Sequence, residues 1–265
     1  MNGVRMSVLP VGADAAAVVS AAANADRAGI DGFWFGGLGT ASDTGPVDDA
    51  YVMAALCGAA SRTRDIRLGA LLDLAPERAA LTSAEDIGVL DQASGGRLEL
   101  GLVPSGGPGW PDRAALVLTS WTDWPVAGHD VVVTPRPAQP VVPRLVLATG
   151  TGDDAGIRRR LRAGVLMIDG RTAPAADGER RVIVRRETVP EGKDLDSVGE
   201  YVRDLRDAVD AADADEAIIA APAGDLLRER FVDFLAGVVA PVVRCPRAEV
   251  PVLLHDALSW WHRRG

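Results

Sequence analysis

One loop of the sequence has the composition of an anion holder. In Thr149-Gly150-Thr151-Gly152 the glycines let backbone amides approach closely and the threonine hydroxyls can donate. The helical pattern Asp153–Ala163 that follows would turn its positive N-terminal end toward the loop. The same four residues also suit an ordinary turn and helix cap, and the residues alone leave both readings open. Arg171 could supply the cation that an anion would need. Asp73 and Glu187 each stand at the end of an apolar run, and Trp110, Trp121 and Trp124 offer aromatic faces for a ring-shaped ligand, although packing on a core explains Trp121 equally well. The rest of the chemistry is thin. His129, His255 and His262 are scattered, and no Ser-His-Asp order or HExxH helix can be built around them. Cys57 and Cys245 lack metal-type spacing, so no metal site is expected and both read as buried thiols.

The elements that must position these groups alternate. Strand-like runs at Met6–Val11, Gly32–Gly36, Ile66–Leu72, Arg97–Leu102, Arg144–Ala148, Ala163–Ile168, Arg181–Glu187 and Glu216–Ala221 are near-continuously apolar, as in strands covered on both faces. Helical periodicity fills Ala13–Ala28, Val47–Ser61, Arg78–Ala93, Asp112–Trp124, Asp153–Ala163, Leu195–Ala211 and Leu226–Val239, while Arg171–Gly178 is too short for a full helix. Eight such pairs predict a closed (β/α)8 TIM barrel, compact and forming a single domain over 1–265. A doubly wound open sheet is the runner-up, but Pro10–Asp14 lacks the GxGxxG expected at its first turn. Prolines at 135, 137, 140 and 143 make 125–143 an extended surface connector, and 252–262 reads as an amphipathic tail helix.

The 265 residues carry a formal net charge of −9, which argues against nucleic acid and anionic membranes as partners. No run reaches the roughly 18 apolar residues of a spanning helix. A cytoplasmic protein with a small-molecule substrate is expected.

The segment Leu90-Asp91-Gln92-Ala93-Ser94-Gly95-Gly96-Arg97-Leu98-Glu99-Leu100-Gly101 resembles the LD-x-x-SGGR-x-x-LG signature of the bacterial-luciferase-like family of flavin and deazaflavin oxidoreductases. Ala28–Phe35, Asp49-Ala50-Tyr51, Arg62–Gly69 and the approach Pro135–Pro140 into Leu145–Gly150 agree with that family in the same order. The SGGR junction itself reads as structure: glycines cap the helix, and Arg97 and Asp91 are placed to pair. The resemblance implies FMN or deazaflavin (coenzyme F420) at the C-terminal mouth of the barrel. Its phosphate would lie on Thr149, Gly150, Thr151 and Gly152 with Arg171 near, and its ring over Gly36, Leu72, Asp73 and Leu102.

Two departures bear on activity. Gly36-Gly37-Leu38-Gly39 stands where catalytic members commonly carry an acid or histidine, and the excursion after the fourth strand is shortened to Val103–Trp110 and a short helix. The expected function is therefore a flavin- or deazaflavin-dependent oxidoreductase or monooxygenase whose catalytic residues are not identified. The alternative is a non-catalytic accessory member that lost the group after the second strand, and a barrel enzyme of another chemistry, such as a sugar-phosphate lyase, is a third reading. The resemblance also implies a homodimer through Val47–Ser61 and Arg78–Ala93.

Overall fold

The structure is a computed structural model that describes residues 3–11, 14–37, 49–74, 79–103, 109–122, 126, 130–139, 143–148, 154–168, 179–185, 195–245 and 249–264. Its strands are β1 (Arg5–Val11), β2 (Gly32–Phe35), β3 (Arg67–Leu72), β4 (Leu98–Leu102), β5 (Arg144–Ala148), β6 (Gly164–Ile168), β7 (Arg181–Arg185) and β8 (Glu216–Pro222). They pair in parallel in chain order, and β8 returns to β1 with Arg5 beside Glu216, closing a (β/α)8 barrel. Outside it lie α1 (Ala15–Ala28), α2 (Asp49–Ala60), α3 (Ala80–Ala93), α4 (Trp110–Thr119), α5 (Asp154–Leu161) and α6 (Leu195–Ala212). The sixth connection, 171–178, lies outside the described residues.

The last predicted helix, Leu226–Val239, is broken. It becomes α7 (Ala223–Leu226), α8 (Glu229–Phe234), a π-helical turn at Leu235–Val239 and α9 (Ala240–Arg244), before the tail helix α10 (Val250–Arg264). Pro241 accounts for the π turn, because it has no N–H to donate and its ring crowds the carbonyl four residues back, at Gly237.

Alternation along the strands separates two apolar cores. The larger lies between sheet and helices, while the lumen holds Leu9, Trp34, Leu71, Val146, Leu166, Val182, Val184 and Ile218. Trp34 fills the middle of the lumen because its neighbours are small. A Cβ on Gly69 would stand inside its indole ring, and one on Gly101 would come within 3.1 Å of it. The indole Nε1 donates to Glu216 Oε1 at 3.0 Å.

Below Trp34 the same inward parity places Arg5, Arg67, Glu99, Arg144, Arg180 and Glu216 at the N-terminal strand ends. Glu99 and Glu216 are both about 1% exposed. Glu99 accepts from Arg5 Nη1 at 2.7 Å, Arg180 Nη2 at 2.6 Å and Arg67 Nε at 3.2 Å. Glu216 accepts from Arg5 Nη2 at 2.6 Å, from Ser7 Oγ at 2.5 Å and from Arg180. Burial alone would raise the Glu99 carboxyl, but the guanidiniums of Arg180 and Arg5 outweigh it and hold the group at about 2.

The SGGR junction has the expected glycine conformations, with φ +66° at Gly95 and +79° at Gly96, and Arg97 stands directly before β4. The expected Arg97–Asp91 pair does not form. Arg97 turns its fork to the C-terminus of α2 and the turn that follows it, donating to Ala60 O, Thr63 O and Ile66 O. Asp91, fully buried, instead accepts from Gln139 N at 2.9 Å and Gln139 Nε2 at 2.8 Å, which clasps the proline-rich connector to the barrel. Gly88 lets the connector lie flat on α3, since a Cβ there would overlap Pro135 O. Cys57 is exposed on α2 rather than buried, because Val52, Ala55, Leu56 and Ala59 form that helix's inner face; Cys245 is buried as expected.

Two stability outcomes are expected. Gly69→Ala should destabilise the fold by about 3 kcal/mol, the upper end of the usual overpacking cost, since neither Trp34 nor the strand can give way, and urea denaturation measures it. The Glu99 pairing contributes stability that is present above its unfolded value of 4.5 and is lost as pH falls toward the folded value of about 2. Glu99→Gln should therefore be less stable at neutral pH yet show a flatter decline between pH 4.5 and 2, followed by thermal melts across that window.

Candidate functional site

The C-terminal ends of the strands, where barrels of this kind place their chemistry, form a mouth floored by apolar side chains. Leu9, Ala148, Ile168, Val184 and Ala220 belong to the lumen core there, with Val11 and Val103 packed against them. Such a floor suits the face of a flat conjugated ring.

At the exit of β2, Gly36 has φ +121°, and a Cβ on it would stand 2.5 Å from the Leu71 carbonyl oxygen and 2.8 Å from Leu71 Cβ. A side chain at this position is excluded both by the backbone dihedral and by β3. The missing acid or histidine is thus built into the backbone, which leaves bare main chain at the rim.

Gly36, Leu72 and Leu102 are brought together on neighbouring strands, with Leu72 and Leu102 in register across β3 and β4. Their side chains, however, pack outward against the helices. The inward positions are Leu71 and Val103, and Asp73 shares the parity of Leu71. Thr149, Gly150, Thr151, Gly152, Arg171, Glu187, Trp124 and His129 lie outside the described residues, and His255 is exposed on α10.

The exit of β3 is held from three sides. Asp73 N donates to Asp49 Oδ1 at 3.2 Å, Trp110 Nε1 donates to Asp73 O at 2.7 Å, and Arg113 Nε donates to Leu74 O at 3.3 Å. Between these bonds Leu74 takes φ +53°, a left-handed conformation costing about 1–3 kcal/mol for a side chain of this kind. Trp110 is 2% exposed and so acts as a clamp on the strand end rather than as an open wall. Trp121 is also buried, its Nε1 donating to Ala84 O. The roles of Asp49 and Arg113 carry no sequence signal of their own, because each works through a backbone atom far away in the chain.

Among the described residues Asp73 is the one carboxylate that directly follows a strand. Tyr51, in the first turns of α2, has its phenol pushed up by burial and by the charge of Asp14, so it stays protonated and able to donate at neutral pH. No described group of three His, Cys, Asp or Glu side chains could hold a metal ion, and no described helix is long and apolar enough to cross a membrane.

Comparison with known proteins bears on this mouth. Residues 3–111, from β1 to the start of α4, match the family model of the luciferase-like monooxygenases. No curated protein matches the sequence. Among solved structures, a monooxygenase named RslO1 from Streptomyces bottropensis is 17% identical and aligns over 88% of this chain and 97% of its own, with a TM-score of 0.59. The FMN-bound oxygenating constituent of 3,6-diketocamphane monooxygenase from the CAM plasmid of Pseudomonas putida is 12% identical over 90% and 98% of the two chains, TM-score 0.62. An F420-dependent secondary alcohol dehydrogenase in complex with an F420–acetone adduct is 10% identical over 92% and 100%, TM-score 0.61. At these identities the structural likeness is one of fold, and it extends over the whole barrel. The sequence match covers the strands that form the rim around Gly36 and Asp73, and over those residues the chain is similar to the luciferase-like monooxygenases.

Proposed function

We propose that this chain binds FMN or F420 at the C-terminal mouth and acts as an oxidoreductase on a small organic substrate. The observation that carries the reading is the rim at the β2 and β3 exits. A glycine that cannot be replaced and a strained, three-way-clamped Asp73–Leu74 turn stand together over an apolar floor. Strain of this kind persists where surrounding bonds enforce it, and it concentrates at functional sites. The mouth fits such a cofactor, since bare backbone at Gly36 leaves room for a ring edge and the floor excludes water from one face.

Bound cofactor would supply the hydride or oxygen chemistry, while the chain orients its ring and shields it. The phosphate belongs on Thr149–Gly152 with Arg171 as its cation, a placement that rests on the composition of that loop. Asp73 is the residue placed to hold or move a proton at the rim. The accessory reading also has a specific observation behind it, because Gly36 denies the position after β2 any proton-handling side chain. A homodimer through α2 and α3 accords with Val89, which is 47% exposed on α3.

Titration of the purified protein with FMN and with F420, followed by absorption and fluorescence, should give saturable one-to-one binding of one of them. If neither binds at concentrations far above cellular levels, the accessory reading replaces this one. Gly150→Glu should weaken FMN binding at least about tenfold, or 1.4 kcal/mol, yet leave riboflavin, which lacks the phosphate, nearly unaffected. Equal FMN affinity in the variant would move the phosphate away from this loop. Light scattering at micromolar concentration should report twice the chain mass.

A further inference from the structure

The opposite end of the barrel carries charge that the described residues leave uncompensated. At the floor, Arg5, Arg67, Arg144 and Arg180 surround Glu99 and Glu216, leaving an excess of two positive charges. Of the carboxylates nearby, Asp31 pairs with Arg244, Glu179 with Arg158 and Asp213 with Arg181, Asp215 accepts from the Arg181 backbone N–H, and Asp65 lines the smaller of the two depressions on this end. Asp26 accepts from the backbone N–H groups of residues 64–66.

Arg144 is the arginine left over. It stands in register beside Glu99 across β4 and β5, yet it makes no hydrogen bond or ion pair among the described residues, because Arg5, Arg67 and Arg180 already occupy that carboxylate. Its guanidinium is pushed below its ordinary value by partial burial and by repulsion from Arg5, Arg180 and Arg67, against the pull of Glu99. Arg180 uses Nη2 for both glutamates, while its Nε and Nη1 are covered and have no partner. Room for this crowding comes from the two remaining inward positions at the floor, Gly32 and Gly164. A Cβ on Gly32 would overlap Ser7 Oγ, and one on Gly164 would lie within 2.9 Å of Arg180 Cβ. Two surface depressions, of about 2140 and 470 Å³, open on this end, and both are lined by Arg5 and Arg144.

We propose that the N-terminal face of the barrel is a binding site for a phosphate dianion, held by Arg144 with the charges of Arg5 and Arg180 behind it. A dianion matches the excess charge, and guanidinium forks match tetrahedral oxyanions in a bidentate way. The site lies at the far end of the barrel from the mouth and does not depend on any cofactor there.

The test is calorimetric titration of the full-length protein with inorganic phosphate and with pyrophosphate in 0.15 M sodium chloride, which screens diffuse attraction. One saturable phosphate per chain is expected at the floor. Arg144→Gln should weaken it at least fivefold with the circular dichroism spectrum unchanged, since Arg144 is exposed at the start of its strand. Gly150→Glu, in the loop proposed for the cofactor phosphate, and Arg159→Gln, on α5 in the larger depression, should leave it unchanged. Loss in Gly150→Glu with retention in Arg144→Gln would put the phosphate at the mouth and overturn the proposal. So would equal weakening by Arg159→Gln, which marks diffuse attraction, or the absence of saturable binding up to about 10 mM, roughly tenfold above the upper end of ordinary physiological ligand levels.

Discussion

Two carboxylates sealed inside a barrel set the terms for everything around them. Glu99 and Glu216 are about 1% exposed, and an ion so placed costs several kcal/mol unless charges and hydrogen bonds answer it. Here the answer comes from four strands at once. Arg5 and Arg180 each bridge both glutamates, and Ser7 and the Trp34 indole complete the shell of Glu216. Removal of any one partner leaves a buried charge short of a bond, so the network, with Arg67 on Glu99, ties β1, β2, β3, β4, β8 and the approach to β7 into one unit. A ring of this kind selects a register, since a slip of one residue would turn the glutamates out toward the helices.

That constraint passes upward through Trp34. Its ring must lie where Nε1 reaches Glu216, and this position demands glycine at 69 and 101 on the next two strands, β3 and β4. The lumen is then polar at the floor, aromatic in the middle and aliphatic at the mouth. The two ends have different tasks. The floor is rigid and ionic, whereas the mouth presents apolar surface and backbone shaped by a positive-φ glycine and a positive-φ leucine.

Most of the fold is legible in the chain because it follows from local pattern. Apolar runs and three-and-four spacing mark strands and helices, and paired glycines at 95 and 96 mark a helix end. Pairing partners are less legible. Asp91 and Arg97 are six residues apart and of opposite charge, yet each finds its bonds 30 to 50 residues away, with Gln139 and with Ala60 to Ile66. The break at Pro241 was visible as a proline, but the apolar stripe through Leu235 and Val238 continues across it and hides the π turn. At the mouth, Gly36, Leu72 and Leu102 are legible as strand ends, but which of two adjacent residues faces inward depends on where each strand begins. The alternation is faint when both faces are apolar, and so the sequence does not single out Leu71 and Val103.

Gly36 shows why a residue's absence is informative only with its backbone in view. Read as a letter, it is a missing acid. In the barrel, its φ of +121° and the Leu71 carbonyl 2.5 Å from where a Cβ would stand make glycine the only residue that fits. A site that had merely decayed would accept a range of small side chains there, because nothing would require the close approach. The strain at Leu74 points the same way. Its cost of about 1–3 kcal/mol is sustained by Trp110 and Arg113 from α4, across the segment that joins β4 to that helix. Two unusual conformations on adjacent strand exits, one enforced by contact and one by hydrogen bonds, mark the rim as a shaped surface. Among the described strand exits, the β3 exit is the one that presents a carboxylate directly after its strand, and Asp73 is fixed there at its backbone on both sides.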